Sequence, residues 1–123
     1  MRLKSSINFN FVLLGLALCS CASINYRNGN ASYEEYAYAD AIKKFERVFE
    51  KSKYKDAKYK LAECYRLTGN NEKALALYAR LVRMSESPNQ IKYYYAQALM
   101  RAGDYKNAKT WFDYIDGKRR RCA

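Results

Sequence analysis

The stretch LAECYRLTGNNEKALALYARL (residues 61–81) decides the fold, because residues 95–115, YAQALMRAGDYKNAKTWFDYI, repeat its pattern 34 positions later. In register, Leu61 pairs with Tyr95, Ala62 with Ala96, Tyr65 with Leu99 and Gly69 with Gly103. Ala74 then pairs with Ala108, Leu77 with Trp111, Tyr78 with Phe112 and Leu81 with Ile115. A shift of 33 carries the second half of the unit back again, from Ala74, Tyr78 and Leu81 to Ala41, Phe45 and Val48. Spacings of 3, 4 and 7 put these positions on one helical face. The small residues mark close helix contact, and the aromatics fill gaps between neighbours. Gly69 and Gly103 stand where a first helix must end, since glycine takes up the left-handed conformation at little cost. Each unit is expected to be a helix-turn-helix.

The period and order of residue types resemble the tetratricopeptide repeat (TPR), a helix pair that stacks with its neighbours. The resemblance implies an all-α protein, a short TPR solenoid of antiparallel helix pairs. Two departures stand out: Lys58 and Lys92 replace the aromatic usual early in each first helix, and the closing proline is displaced to Pro88. Helices are expected near 31–51, 54–68, 71–84, 89–102 and 105–116, the first breaking near Tyr36. Residues 31–117 then form the TPR domain, two full repeats and one abbreviated, a minimal stack with a marginal core.

Composition agrees. The 123 residues leave room for one domain, half of them are apolar, and one Pro and five Gly argue against a many-turned all-β chain. No histidine is present, which removes Ser-His-Asp and Cys-His nucleophiles, His-ligated zinc and His acid–base chemistry. There is also no phosphate-cradling Gly-rich loop, nucleophile elbow or metal-ligand spacing. Glu34-Glu35 is the only adjacent acid pair, and neighbours on a helix diverge too far to flank one bond. No enzyme activity and no cofactor is expected. The net charge of +11 favours an acidic partner: nucleic acid, anionic lipid or an acidic protein surface.

The N-terminus narrows that choice. Arg2 and Lys4 precede the uncharged run Phe11–Leu18, which is too short for a lasting membrane span and suits a signal peptide over residues 1–20. Leu18-Cys19-Ser20-Cys21 resembles the lipobox of bacterial lipoproteins. Cys21 fits best, because small Ser20 precedes it, and Cys19 stays open as the alternative. The resemblance implies diacylglycerol and a further acyl chain (palmitate) on Cys21, with cleavage before it. Cleavage would remove Arg2 and Lys4 and lower the charge by two. Several chains on one cysteine would anchor the protein without spanning the bilayer. Ala22-Ser23-Ile24 lacks the Asp that commonly retains lipoproteins in the inner membrane, so the expected address is the periplasmic face of the outer membrane. Residues 21–30, with three Asn and a Gly after Ile24, read as a flexible tether.

A closer resemblance rests on Tyr38–Val48, Lys60–Tyr65, Tyr93–Leu99 and Gly103-Asp104-Tyr105. These look like the N-terminal TPR region of OmpA-family envelope lipoproteins, some of them associated with type IX secretion and gliding. In those proteins a β-propeller and a peptidoglycan-binding OmpA-like domain follow. This chain runs instead into Lys118-Arg119-Arg120-Arg121-Cys122-Ala123, so peptidoglycan binding is not carried over. A standalone relative and the truncated remnant of a longer lipoprotein both fit.

In TPR proteins the first helix of each pair lines the concave groove. Residue by residue, the resemblance places Asp56, Tyr59, Glu63 and Arg66 there, and Gln90, Tyr93, Gln97 and Arg101 from the next repeat. Tyrosine offers area at low entropy cost, and Arg and Gln direct hydrogen bonds, which suits an envelope protein or a peptide segment. Families that clamp a C-terminal carboxylate use Lys and Asn where Tyr59 and Glu63 stand, so that specialisation is not expected. A basic patch is read from Lys51, Lys53, Lys55, Lys58 and Lys60 with Lys118, Arg119, Arg120 and Arg121, which beside a lipid anchor could meet anionic headgroups. A cytosolic RNA-binding protein is the alternative if the signal is false. Tyr93-Tyr94-Tyr95 cannot form one stacking platform, since successive residues diverge by about 100°. Tyr95 is assigned to the core, Tyr93 to the groove and Tyr94 to a flank. An oxidising periplasm would permit a Cys64–Cys122 bridge, but one thiol reads as helical and the other as tail, so none is expected.

Overall fold

The computed structural model describes residues 21–51 and 53–122, all of whose regular structure is helical. Helix α1 covers residues 21–34. It is followed by α2 (Tyr38–Glu46), α3 (Lys55–Leu67), α4 (Asn71–Leu81), α5 (Asn89–Arg101) and α6 (Tyr105–Cys122). The expected all-α class is the observed one. The signal-like segment before Cys21 lies outside the described residues, and among those described no helix is long and apolar enough to cross a membrane.

Two expectations are corrected. Residues 21–30 are not a tether but the body of α1, and α6 runs on to Cys122, so residues 118–122 are helical rather than a tail. The helix-end hydrogen bonds explain the first miss. At the end of α3, Asn70 N–H donates to Tyr65 O (2.9 Å) and Gly69 N–H to Arg66 O (3.3 Å). At the end of α5, Asp104 N–H donates to Leu99 O (2.9 Å) and Gly103 N–H to Met100 O (3.1 Å). The same paired closure ends α1, where Ala37 N–H donates to Ser32 O (2.8 Å) and Tyr36 N–H to Tyr33 O (3.1 Å). Tyr36, Gly69 and Gly103 share the left-handed conformation (φ 60, 77 and 82°). Thus α1 and α2 form a complete first helix pair, hidden in the sequence because tyrosine fills the glycine position.

The next residue repeats as well. Asn70 accepts from Lys73 N–H (3.2 Å) and Asp104 from Asn107 N–H (3.2 Å), capping α4 and α6, whereas Ala37 in the same place leaves α2 without a side-chain cap. Tyr36→Gly with Ala37→Asp is therefore expected to stabilise the protein by about 1–2 kcal/mol. The left-handed tyrosine costs about 1–2 kcal/mol and a new cap contributes about 1, less the entropy that glycine adds to the unfolded chain. The urea midpoint measures it.

The chain divides into two compact units between Ala57 and Lys58, within α3. In the first, α1 lies on α2 so closely that a Cβ on Gly29 would sit 2.7 Å from Phe45 Cε1. Ala41, Phe45 and Val48 are fully buried, joined by Tyr54 and Ala57. Tyr26 stacks on Tyr54 (centroids 4.4 Å apart), and Lys44 Nζ donates to the buried Ser32 hydroxyl (2.6 Å). The second unit holds the rest of α3 with α4, α5 and α6. Its core includes Leu61, Ala62, Tyr65, Ala74, Tyr78, Leu81, Ala96 and Leu99, the positions singled out by the 34-residue register. Tyr95 and Trp111, half-buried, meet edge to face at 5.4 Å and tie α5 to α6.

Candidate partner-binding surfaces

On α5 the three consecutive tyrosines part as helix geometry requires, each meeting a different neighbour. Tyr95 turns to Trp111. Tyr93, 43% exposed, meets Phe112 of α6 edge-on at 5.6 Å. Tyr94 lies between Tyr78 of α4 (6.1 Å) and the Arg66 guanidinium of α3, which stands 4.5 Å over its ring. Tyr94 is thus no outer flank: it joins the first helices of two successive pairs.

That contact links Arg66 of the expected groove to α5, and the other expected groove residues pair mainly within their own helices. Arg66 pairs with Glu63 (3.2 Å), Gln90 Nε2 donates to the Tyr94 hydroxyl (3.1 Å), and Gln97 Nε2 donates to the Tyr93 hydroxyl (3.1 Å). Arg101 reaches Asn71 on α4 (3.5 Å), and Tyr59 is half-buried on α3. Asp56 belongs to the other unit, where it accepts the Tyr26 hydroxyl at 2.7 Å and thereby raises that phenol above its ordinary value. Polar side chains of this face are therefore held in place by one another, which lowers the entropy lost when a partner binds.

The residues of the expected basic patch are divided between the two units. Lys51, Lys53 and Lys55 are exposed in the first unit, with Lys53 Nζ 5.7 Å from the Tyr54 ring centroid, whereas Lys58 and Lys60 are half-buried in the second. Lys118 to Arg121 are exposed on the last turns of α6, where Arg121 Nε donates back to Gly117 O (3.3 Å). Among the described residues no three His, Cys, Asp or Glu side chains gather as a metal site.

Sequence reasoning missed a second surface. A cleft of about 620 Å³ opens between the start of α5 and the end of α6, lined by Asn89, Gln90, Tyr93, Phe112, Ile115, Asp116 and Arg119. An adjoining one of about 440 Å³ is lined by Asn89, Ile115, Lys118, Arg119 and Cys122. Reading residues 118–122 as a tail concealed it, although Phe112, Ile115, Arg119 and Cys122 follow one another at spacings of 3, 4 and 3.

Beneath these surfaces two groups titrate abnormally. Among the described residues Cys64, Cys21 and Cys122 form no disulfide, and the last two are exposed. Burial pushes Cys64 from its ordinary 9.0 to about 12. Burial likewise raises the Tyr78 hydroxyl from 10.0 to about 12, against the opposing pull of the Arg66 guanidinium. The native state keeps both protons to about pH 12, whereas the unfolded chain releases them from about pH 9 upward. Above that point the unfolded state binds fewer protons, so stability falls as pH rises. Denaturation at about pH 8 and about pH 10.5 should show this loss, and Tyr78→Phe should lessen it. Native Cys64 should resist alkylation while Cys122 reacts.

Two family profiles, each described as Tetratricopeptide repeat, match the chain over residues 32–90 and 68–120. No curated protein matches it. The matches overlap and jointly run from Ser32 to Arg120, taking in α2 to α5 whole, the end of α1 and nearly all of α6. With the recurring helix ends and buried register positions, they establish that the chain belongs to the tetratricopeptide repeat family, whose members are protein–protein interaction scaffolds.

Proposed function

We propose that the protein is a lipid-anchored scaffold of the cell envelope that binds another envelope protein through the α3–α5 face of its second unit. The observation behind the binding surface is the Arg66–Tyr94 contact, which links α3 to α5, and the proposed lining is Tyr59, Glu63 and Arg66 with Gln90, Tyr93, Gln97 and Arg101. Aromatic area and prearranged Arg and Gln donors suit an extended or helical peptide segment. The anchor rests on the Leu18-Cys19-Ser20-Cys21 sequence behind a short apolar run, with Cys21 as the acylated residue and the periplasmic face of the outer membrane as the address. The resemblance to OmpA-family lipoproteins suggests an OmpA-associated or type IX secretion and gliding assembly as the setting.

Two measurements test this separately. A clickable fatty acid should label the wild type and not Cys21→Ser; label persisting in that variant would remove Cys21 as the attachment site. Photo-crosslinkers at Tyr59 and Gln97 should capture the same protein from intact envelopes. Capture of RNA in its place, or of nothing, would defeat the proposed surface.

A further inference from the structure

In the repeat register Phe45, Tyr78 and Phe112 occupy one position, and the first two are fully buried whereas Phe112 is half-buried. What covers Tyr78 within its own unit is a helix: α5 lies over it, with the Tyr94 ring 6.1 Å away. Over Phe112 stands the 620 Å³ cleft, continuous through Asn89, Ile115 and Arg119 with the 440 Å³ one. The stripe Phe112, Ile115, Arg119 and Cys122 runs along α6 for about 15 Å, three turns of an opposing helix. The position is built as a core site and lacks its covering element among the described residues.

We infer that this trough docks an amphipathic, acidic helix of a protein partner, seated on α5 and α6 as α5 is seated on α4. Its apolar face would lie on Tyr93, Phe112 and Ile115. Charge selects the rest of its composition. Lys118 and Arg119 line the trough and are exposed, and the same turns carry Arg120 and Arg121. Asp116 is the one acid in the lining, one turn before Arg119, and it is outnumbered there by Lys118 and Arg119. Glu or Asp on the half of the helix beside Arg119 meets that pattern, and Lys there meets repulsion. A second copy would bring a second basic turn into the same interface without adding an acidic surface to meet the first, so self-association is disfavoured. The trough shares Gln90 and Tyr93 with the proposed α3–α5 face, but Phe112, Lys118 and Arg119 lie outside it, so changes at those three residues test this inference without touching the proposed function.

The probe is a pair of synthetic helical peptides sharing one Leu face, one flanked by Glu and the other by Lys, titrated against the full chain at low salt and followed by fluorescence anisotropy. The Glu peptide should bind about tenfold more tightly than its Lys counterpart. Lys118→Glu with Arg119→Glu, exposed changes that leave the core intact, should invert that preference. Phe112→Ser should weaken both peptides, with circular dichroism confirming that the variant stays helical. Equal affinity for the two peptides, no binding of either, or an unchanged preference in the charge-reversed variant would overturn the inference. So would a dimer, or adsorption to phosphatidylglycerol vesicles, that competes with the Glu peptide, since each would assign the trough a different occupant.

Discussion

Phe45→Ala is expected to cost about 3–5 kcal/mol, the loss for removing a fully buried phenylalanine from a core that relaxes only in part. That is a large share of the roughly 5–15 kcal/mol that holds a small domain folded. Phe45 is the largest fully buried side chain of the first unit, in contact with the bare backbone of Gly29 on α1 and flanked along α2 by Ala41. Opposite the ring α1 presents Gly29, which has no side chain to fill the space. A fall in the urea midpoint measures the global effect. Hydrogen exchange should show α1 and α2 losing protection ahead of α5 and α6, and uniform loss along the chain would place the main packing role elsewhere.

Gly29→Val is expected to destabilise by about 2 kcal/mol, opposite in sign to what helix propensity alone dictates. Within a helix, valine is better than glycine by about 0.3–0.5 kcal/mol. A Cβ at Gly29, however, falls 2.7 and 2.8 Å from two Phe45 ring atoms, and the ring is fully buried and cannot swing into solvent. Overpacking of this kind costs about 1–3 kcal/mol, and a β-branched residue adds two methyls to the clash. The two substitutions should offset one another: in a Phe45→Ala background the valine enters the vacated volume, and the double variant should be more stable than the summed single losses by about 1–3 kcal/mol. Additive losses would show that the Gly29–Phe45 approach is not what limits this position. Gly117, also helical but with nothing within 4 Å of its added Cβ, is the control that should accept alanine without loss.

Local periodicity made the fold legible. Gly69 and Gly103 mark helix ends, Ala74 and Ala108 close contacts, and Tyr78 and Leu81 the buried face, because each responds to constraints within one helix pair and recurs with the pair. The first pair escaped the same reading at Tyr36 and Ala37. A tyrosine in the left-handed conformation is paid for by packing, here of Gly29 on Phe45, which sequence spacing does not reveal. The candidate surface was legible to the extent that it follows helix register. Glu63, Arg66, Gln90 and Gln97 do lie with the α3 and α5 elements assigned to them, but Asp56 is drawn to Tyr26 and Tyr93 leans onto Phe112.

The sequence by itself determined the helix pairs, their period and the identity of their core positions, since 3.6-residue periodicity and turn chemistry act over a few residues. Only the tertiary structure decided that residues 21–34 are the first helix of the first pair, that Tyr94 and not Tyr93 bridges α3 and α5, and that Phe112 is a core position left half-open beneath a basic rim. Each depends on which helix lies against which, and that is fixed by side chains remote in sequence filling one shared volume.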